Sequence, residues 1–571
     1  MAAAEPLRLS VYATAGDVQR YLAAGDQRRR VVEMCRALRV SRIFLEGRRG
    51  DEYVGPAALQ EARNFLASKG IQSAGGIATV PGQQFGARQN GGLTWLDWES
   101  ERTREDVATF FRQNAPLFDE LIVDDFYCTG DTSPAAERAR GARPWGEYRR
   151  DLLVSLIDPL IVRPAQAARP GARLIIKFPQ WYDRFHLFGY DPRRMIPFFD
   201  QVWVGTEVRD PKTRRMGFVQ PTEGYMNFRW LTSIGGDKVR GAWFDHIECS
   251  AQNFFDQACQ SVLAGARELT LFRLGDLMEA HPGDARLAGR WWDLQDLGRR
   301  VQDRRRVGLV FYKPPVSDAE ENLYLADYLG MIGLPVLPEA TYPDSAQVVI
   351  LAVQAAADPD ILSRARRHLG RGATLVLTPG FVRRVGAGAG ELAGVEMAGA
   401  TRLARAQAAL AGGAEIPLPA PLEVDASLAA RSSETLLRAR VAEGWAPLLT
   451  RRPHGEGRVF VLNVHTFTEQ DFRDAREWLL APMPLGLSSL PQAVADPLRQ
   501  ALLEPLGVRL KAPAGVSLCL FEDGACFYNF LDGPATVVLH EQRLDVGANE
   551  WLWQALPQTD NQHRQKLQRG P

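Results

Sequence analysis

Residues 1–305 alternate strand-like and helix-like segments with a regularity that few folds accommodate. Short apolar runs are separated by longer amphipathic segments, such as DQRRRVVEMCRALRV at 26–40. About eight strand-like segments occur, at 7–13, 41–47, 71–80, 119–126, 172–179, 201–208, 241–248 and 268–274. Strands that alternate with helices pair in parallel, and about eight units in ~300 residues predict a closed (β/α)8 TIM barrel. A doubly wound open sheet is the alternative, but no G-x-G-x-x-G turn follows the first strand.

Two further domains are predicted after the charged segment RRVQDRRR at 299–306. Residues 306–490 run from VGLVFYKPP to GRVFVLNVH and beyond, and their strand–helix pattern predicts an open α/β sheet. Within it, residues 384–420 are rich in Ala and Gly and are expected to form an irregular insertion. Residues 505–560 contain short alternating strands and Asp-Gly turn signals, which predict a small antiparallel, β-sandwich-like domain.

The composition limits the classes of partner. Lys plus Arg and Asp plus Glu both number 68, so the net charge is zero, whereas a nucleic-acid partner demands a basic surface. No apolar run approaches the ~20 residues of a membrane span. Six cysteines in 571 residues, with no C-x-x-C pair, favour neither a disulfide framework nor a zinc site, so no metal or cofactor is expected. Cys519 and Cys526 could lie across a hairpin, where two unpaired thiols are expected rather than a bridge.

The N-terminal stretch MAAAEP contains no signal peptide. Its small residues resemble the remnant that follows a signal-peptide cleavage site. We therefore expect an exported protein, periplasmic or secreted.

The carboxyl ends of the predicted strands carry the candidate site, because chemistry in such barrels collects there. The fourth strand ends in Asp124 and Asp125, and adjacent carboxylates are costly to desolvate unless they face a wet pocket. Because side chains alternate across a strand, one should point into the barrel mouth and the other towards the helices.

Several acids gathered with aromatic residues are typical of glycoside hydrolysis. One carboxylic acid protonates the leaving oxygen, and a second carboxylate acts as nucleophile or activates water. The predicted catalytic pair is Asp124 or Asp125 with Glu207 or Glu248, which end the sixth and seventh strands. A carbohydrate is therefore the expected partner.

The other strand-end residues are predicted to bind substrate. Trp181 and Tyr182 could stack on a sugar ring, whereas Glu46, beside two arginines, is more typical of a salt-bridged support. The full set is Glu46, Lys177, Gln180, Trp181, Tyr182, Asp245, His246 and Arg273.

Two other functions fit the same residues. A non-catalytic carbohydrate-binding protein on a degenerate barrel would keep Trp181 and Tyr182 but would need no acid pair. An aldolase or lyase would use Lys177 to form a Schiff base with a carbonyl substrate.

The order of the predicted domains resembles family 42 of the glycoside hydrolases, the β-galactosidases with a trimerisation domain. The segments RVGLVFYKPP, ATLVLTPG and GWAPLLTRRPHGEGRVFVLNVH look like its middle domain, which is similar to class I glutamine amidotransferases, and CFYNFLDGPATVVL looks like its terminal β domain. Residues 260–518 contain no cysteine, so no amidotransferase nucleophile is present. A middle domain without a nucleophile implies a role in assembly, and we expect a homo-oligomer.

The barrel departs from that family at the fourth strand. The family places its acid in an Asn-Glu pair there, whereas this chain has VDDFYC. Glu248 could match the family's nucleophile, but an aspartate ending strand four with an acid on strand six resembles retaining α-galactosidases. The resemblance therefore implies a glycoside hydrolase, without β-galactosidase specificity.

Overall fold

The computed structural model describes residues 6–23, 25–124 and 126–556. Asp125 of the predicted acid pair, and the end of the predicted C-terminal domain, lie outside the described residues. The chain divides into two compact units. The first contains Met1–Asp210 and Ile234–Gln302, and the second contains Pro211–Ser233 and Asp303–Pro571.

The first unit contains a closed barrel of parallel strands. The strands are β1 (Arg8–Ala13), β2 (Arg42–Arg49), β3 (Gln72–Ala78), β4 (Glu120–Val123), β5 (Arg173–Phe178), β6 (Gln201–Gly205), β7 (Val239–Asp245) and β8 (Glu268–Phe272). Each strand pairs in parallel with the next, and β1 also pairs with β8, which closes the barrel. A short strand, Glu52–Tyr53, runs antiparallel to the end of β2. The predicted TIM barrel is confirmed.

Helices connect these strands, as their amphipathic patterns predict. The longest in the first unit are Asp26–Leu38, Pro56–Ser68, Glu101–Asn114, Trp145–Ile157, Ala251–Ala264 and Trp291–Val301. Shorter ones are Ala15–Asp17, Pro134–Arg140, Arg163–Ala168, Pro192–Met195, Leu274–Met278 and Pro282–Gly289. Local sequence sets their ends: before the Ala251–Ala264 helix, the Ser250 side chain accepts from the Asn253 N–H in a capping box. That helix stops at Gly265, whose φ of 107° lies in the left-handed region that glycine adopts without strain.

Large aromatic rings fill the middle of the barrel. The buried cluster contains Tyr12, Phe44, Ala74, Ile122, Ile175, Trp203 and Trp243. Glycines on β3 and β7 leave room for these rings, because a Cβ on Gly241 would lie 2.0 Å from Trp203 and one on Gly76 would lie 2.9 Å from Tyr12. The alternation of small and large side chains lets the core close at normal density.

A buried ion network lies at the amino-terminal end of the barrel. Arg42, the first residue of β2, donates to Glu268 Oε1 at 2.9 Å and to Glu120, and these two acids begin β8 and β4. The guanidinium also lies over the Phe44 ring, 4.5 Å from its centroid. Charges are therefore paired at this end, and the apolar layer separates them from the strand ends where the candidate site lies.

The second unit is built on a nine-stranded mixed sheet. Five strands form a parallel part, in the spatial order Val336–Glu339, Leu309–Tyr312, Val348–Leu351, Thr374–Leu377 and Gly457–Leu462. Four antiparallel strands extend it: Gly444–His454, Glu434–Val441, Leu403–Ala411 and Ala414–Asp425. The predicted open α/β sheet is present, and it is larger than the sequence indicates.

The prediction of an irregular insertion at 384–420 is wrong. This segment contains a helix, Ala387–Ala393, and most of a long hairpin whose strands are Leu403–Ala411 and Ala414–Asp425. The second hairpin strand is outermost in the sheet, and prolines occupy alternate positions in it, at 417, 419 and 421. Proline cannot donate a ladder hydrogen bond, so it is tolerated in an edge strand and conceals that strand from sequence analysis.

Residues 211–233 belong to the second unit although they lie between β6 and β7 in the chain. Most of the helix Glu223–Gly235 falls in this segment. Trp230 Nε1 donates to the carbonyl of Lys313 at 3.0 Å, and Thr222 Oγ1 donates to the carbonyl of Asp327 at 2.6 Å. These bonds fix the segment to residues that come much later in the sequence.

The second unit contains further helices and small sheets. Its other helices are Leu325–Met331, Ile361–Leu369, Pro379–Val385, Glu469–Ala475 and Gln492–Leu503. A small pairing joins Val395–Met397 to Leu428–Ala430. Two small sheets consist of Arg306–Val307, Val516–Phe521, Gly524–Asn529 and Trp551–Ala555, and of Leu510–Lys511, Ala535–Leu539 and Gln542–Val546. The predicted antiparallel region is thus present.

Cys519 and Cys526 face each other across the hairpin of Val516–Phe521 and Gly524–Asn529. Neither sulfur belongs to a disulfide in the described part of the chain. Across the described ranges, no helix has the length and apolar character that crossing a membrane requires. In the same ranges, no group of three or more His, Cys, Asp or Glu side chains is placed to hold a metal ion.

Candidate active site

Asp124 lies at the mouth of the barrel, one residue beyond β4. Its N–H donates to the carbonyl of Ile77 on β3 at 3.0 Å, so its backbone continues the sheet. The side chain is only 3% exposed, and its Oδ2 accepts from Arg49 Nη2 at 3.0 Å. The buried carboxylate is therefore held by a cation from the end of β2.

Lys177 and Glu207 come from the next two strands. Lys177 is on β5, and Glu207 lies two residues beyond β6. Lys177 Nζ donates to Glu207 Oε1 at 3.0 Å and lies 3.9 Å from Asp124 Oδ1. Gln180 Nε2 donates to the Glu207 carbonyl at 3.0 Å, which fixes the loop that carries this acid. Lys177 thus contacts carboxylates on both neighbouring strands.

These contacts limit the separation of the two acids. Because both distances share Lys177 Nζ, Asp124 Oδ1 and Glu207 Oε1 lie at most about 6.9 Å apart, the sum of 3.0 and 3.9 Å. Carboxyl groups about 5–5.5 Å apart suit retaining glycosidases, and about 6.5–9.5 Å suits inverting ones. The limit includes the whole retaining window and only the low end of the inverting window.

Glycine at 205 makes room for the Glu207 carboxylate. A Cβ at this position would lie 2.5 Å from Glu207 Oε2, and 3.0 Å from the backbone nitrogen of Gln180. The first contact is shorter than real Cβ atoms show, and the second is tighter than most of their contacts. The end of β6 therefore fits the carboxylate only while residue 205 has no side chain.

Glu46 is a support rather than a reactive group. Its fully buried carboxylate accepts from Tyr12 Oη at 2.7 Å, from the Ala15 N–H at 2.7 Å and from both Nε and Nη2 of Arg49, at 3.0 and 2.8 Å. Burial raises the pKa of Glu46, and the charge and hydrogen bonds of Arg49 offset this only in part. Arg49 joins Glu46 to Asp124, so the expected salt bridge of Glu46 is present and leads directly to the acid pair.

A second arginine–carboxylate pair lies beyond Glu207. Arg209 donates Nε to Asp245 Oδ1 at 2.9 Å and Nη2 to Asp245 Oδ2 at 2.5 Å. Burial lowers the pKa of Arg209, but the attraction of Asp245 outweighs it and the net shift is upwards. Acids and cations therefore alternate around the strand ends in the order Glu46, Arg49, Asp124, Lys177, Glu207, Arg209 and Asp245.

Aromatic residues pack together around Trp181, the residue after Gln180. Trp181, in the loop after β5, lies parallel to Trp95 with ring centroids 6.2 Å apart and an interplanar angle of 14°. Phe188 and Tyr190 contact Trp181 edge-on, at 5.6 and 5.4 Å. Trp181 is 6% exposed, so it forms a packed wall with only a small accessible face.

Several predicted site residues lie outside the row of charges. His246 Nε2 contacts Asp284 Oδ1 at 2.6 Å, and its ring stacks on Phe254. Arg273 is bound to Asp17 and to Asp276, at 3.4 Å each.

Two more predicted residues, Tyr182 and Glu248, lie in loops that follow barrel strands. Tyr182 is buried at the start of a 3₁₀ segment. Glu248 is half-buried in the loop after β7 and has a φ of 53°. The contacts above join Asp124 to Glu207 through Lys177, whereas Glu248 lies three residues past its strand.

The sequence analysis did not assign Tyr12, Trp95 or Trp243 to the site, and it placed Arg49 there only as a salt-bridge partner of Glu46. Tyr12 lies inside β1, where it resembles a core residue, and Trp95 lies in the long loop after β3. Trp243 is on β7 with Lys177 Nζ 4.8 Å from its ring centroid. Arg49 is the last residue of β2, three residues past Glu46. Its place at a strand end is the signal that links it to the site.

Comparison with known proteins agrees with this architecture. Gan42B, a GH42 β-galactosidase from G. stearothermophilus studied as a catalytic mutant, is 12% identical with a TM-score of 0.63, covering 97% of this chain and 99% of that one. Alpha-L-fucosidase isoenzyme 2 from Paenibacillus thiaminolyticus is 11% identical with a TM-score of 0.63, covering 93% and 89%. Exo-beta-1,4-mannosidase Op5Man5 from Opitutaceae bacterium strain TAV5 is 12% identical with a TM-score of 0.52, covering 80% and 91%. At these identities the likeness shows the fold.

Comparison by sequence finds a relative of higher identity. The curated protein "Uncharacterized protein SSO3021" from Saccharolobus solfataricus is 24% identical over 368 residues, or 58% of this chain. The chain spans about 59% of the length of that relative. A family model for the second domain of the same protein matches residues 305–409. The model described as "Probable glycosyl hydrolase, catalytic domain" matches residues 1–306, more than half of the chain. The chain therefore belongs to this probable glycosyl hydrolase family, and residues 1–306 are the part that matches its catalytic-domain model.

Proposed function

We propose that the protein cleaves an O-glycosidic bond with retention of configuration, using Asp124 and Glu207. The observation that carries the proposal is the position of Lys177, whose Nζ lies 3.0 Å from one carboxylate and 3.9 Å from the other. Two acids at most about 6.9 Å apart, on different strands at the carboxyl end of a barrel, are compatible with the spacing of about 5–5.5 Å that retaining hydrolysis uses. Family membership supports the reaction class.

Asp124 is the better nucleophile. A nucleophilic carboxylate has to be ionised, and opposite charges within ~4–6 Å favour the ionised form. Arg49 donates to its Oδ2, and Lys177 lies near its Oδ1. We assign the other role to Glu207. It acts as the general acid in the first step, for which it has to take up a proton against the pull of Lys177 Nζ at 3.0 Å, and as the general base in the second.

The reaction proceeds in two displacements. Asp124 attacks the anomeric carbon while the bond to the leaving oxygen breaks, and Glu207 gives its proton to that oxygen. A glycosyl ester of Asp124 and a Glu207 carboxylate result. Glu207 then takes a proton from water, the water oxygen attacks the anomeric carbon, and Asp124 leaves as a carboxylate. The substrate is an oligosaccharide, polysaccharide or simple glycoside.

The lyase alternative is weaker. A Schiff base requires a neutral amine, and an amine between two carboxylates is stabilised as a cation. Lys177 is 2% exposed and occupies such a position.

The decisive experiment compares single variants on a panel of aryl glycosides. Asp124→Asn and Glu207→Gln should each lower kcat by a factor of about 10³ or more on any cleaved substrate, because each removes one of the two reacting groups. Asp119→Asn is the matched control, since Asp119 lies just before β4 and its side chain is 67% exposed in an ion pair with Arg169. Asp125→Asn is measured beside them. Normal turnover of Asp124→Asn, with loss in Asp125→Asn, would transfer the role to Asp125.

Product stereochemistry tests the retaining assignment separately. Proton NMR during the first minutes of hydrolysis should show the anomer of the substrate. A 2-deoxy-2-fluoro glycosyl donor should leave a covalent adduct on the peptide that contains Asp124. Inverted product would exclude a nucleophilic Asp124. Oligomerisation and an exported location stay predictions, which light scattering and cell fractionation can test.

A further inference from the structure

The proposed roles of Asp124 and Glu207 as nucleophile and general acid do not by themselves require a lysine between them, yet Lys177 lies there. It projects from β5, the strand between those that lead to Asp124 and Glu207. Its side chain is 2% exposed, and its Nζ lies 4.8 Å from the centroid of the Trp243 ring. A buried ammonium needs compensating partners. Here these partners include the two acids of the proposed reaction.

The proposed reaction moves a negative charge from one acid to the other. Before the first step Asp124 is ionised and Glu207 has taken up a proton. In the described structure Lys177 Nζ is nearer Glu207, at 3.0 Å, than Asp124, at 3.9 Å, so protonation of Glu207 has to release the ammonium towards Asp124. After that step Asp124 is a neutral ester, while Glu207 has lost its proton to the leaving group. Water attack reverses both changes. A cation that interacted with only one acid would favour one half of the cycle and oppose the other half.

The other two cations nearby are each fixed to one further acid. Arg49 binds Glu46 through two nitrogens, and Arg209 binds Asp245 through two nitrogens. Planar guanidinium groups held in this way have little freedom to change partner, whereas the lysine ammonium is a compact charge on a flexible stem. Lys177 Nζ, by contrast, lies within 4 Å of both Asp124 and Glu207.

We infer that Lys177 is a positioning residue whose ammonium follows the negative charge between Asp124 and Glu207 during the catalytic cycle. It acts through these carboxylates and does not contact the sugar. The inference rests on the proposed function. It assigns to Lys177 the control of the ionisation of both acids, and it explains why a lysine is placed between them.

The charged and titratable groups around Lys177 define what its removal should change. Asp124 faces it from the end of β4, Glu207 from the end of β6 and the Trp243 ring from β7. Arg49 and Arg209 act on the same two acids, and Tyr12 and Glu46 lie beyond Arg49. Asp125 follows Asp124 in the chain.

The first test measures kcat/KM against pH for the wild type and for Lys177→Met. Loss of a cation raises the pKa of both carboxylates, so the acidic and the basic limb should each move up by about one pH unit. We expect kcat to fall by about 10²-fold, with KM changed less than threefold. Lys177→Arg keeps the charge and should keep both limbs near their wild-type positions, but it should restore kcat only in part, because a guanidinium changes partner less readily than an ammonium. Unchanged limbs in Lys177→Met, or a large rise in KM with normal kcat, would overturn the inference.

The second test does not require activity. Aspartate and glutamate labelled with ¹³C at the side-chain carboxyl are titrated by NMR, and the two signals are assigned with Asp124→Asn and Glu207→Gln. Both titrations should shift upwards in Lys177→Met, and an unshifted Glu207 would overturn the inference. If Lys177→Met does not fold, Lys177→Gln replaces it in both tests. Full activity of Asp124→Asn and Glu207→Gln would refute the proposed function, whereas the NMR shift decides the role of Lys177 by itself.

Discussion

Replacing Gly205 by alanine should damage catalysis more than folding. The new Cβ would lie 2.5 Å from Glu207 Oε2, so the carboxylate has to retreat by about 0.9 Å to reach an ordinary contact of 3.4 Å. A displacement of about 1 Å costs about 10²-fold in rate, which corresponds to about 2.7 kcal/mol of activation free energy. The backbone of Pro179 and Gln180, at 3.1 and 3.0 Å, has to shift by a few tenths of an ångström. This overpacking should cost about 1–3 kcal/mol of stability.

The assay measures kcat on a cleaved aryl glycoside and the melting temperature of the same preparation. Gly75→Ala is the matched control. Its Cβ would lie 2.5 Å from Phe118 and 2.6 Å from Leu121, two side chains outside the row of charges. The control should lower the melting temperature and keep normal kcat. Normal turnover of Gly205→Ala, or an equal loss of turnover in both variants, would refute the placement of Glu207.

Two further variants test the support of the site and a titration in the second unit. Glu46→Gln removes a buried acceptor from Tyr12, Ala15 and Arg49, so urea unfolding should show a loss of about 3 kcal/mol; unchanged stability would contradict the described network. Burial lowers the pKa of His368 to about 4, whereas an unfolded histidine titrates near ~6.5. The unfolded chain therefore binds more protons between these values, and the free energy of unfolding should fall as the pH drops from ~6.5 towards ~4. His368→Phe should lose this part of the pH dependence in denaturant titrations, and an identical profile would exclude His368 as its source.

The barrel could be predicted because parallel strands buried on both faces are nearly continuous apolar runs. The helix Glu223–Gly235 was missed for a related reason. Its residues from Glu223 to Phe228 are all buried, polar Glu223 and Asn227 included, so its polar positions do not mark a solvent-facing side. The hairpin strand Ala414–Asp425 was missed because Pro417, Pro419 and Pro421 are signals against a strand, and only their place at the sheet edge makes them compatible.

The candidate site could be located but not assembled from the sequence. The rule that chemistry lies at strand ends identifies Asp124, Lys177 and Glu207. It does not show that the three touch, because contact across strands depends on register and on how far each side chain reaches. Trp95 shows a further limit, since it comes from a long loop whose path is set by its packing against Trp181.

Because residues 211–233 belong to the second unit, they are synthesised long before most of the residues they pack with. Trp230 lies 83 residues before its partner Lys313, and Thr222 lies 105 residues before Asp327. At ~5–20 residues per second, the first of these gaps takes about 4–17 seconds to translate. During that time β7 and β8 emerge while the helix Glu223–Gly235 still lacks the residues that cover it. A fragment ending near 305 would lack Lys313 and Asp327, which fix this largely buried helix and the residue before it, so residues 1–305 should express as soluble protein only when translation continues through the second unit.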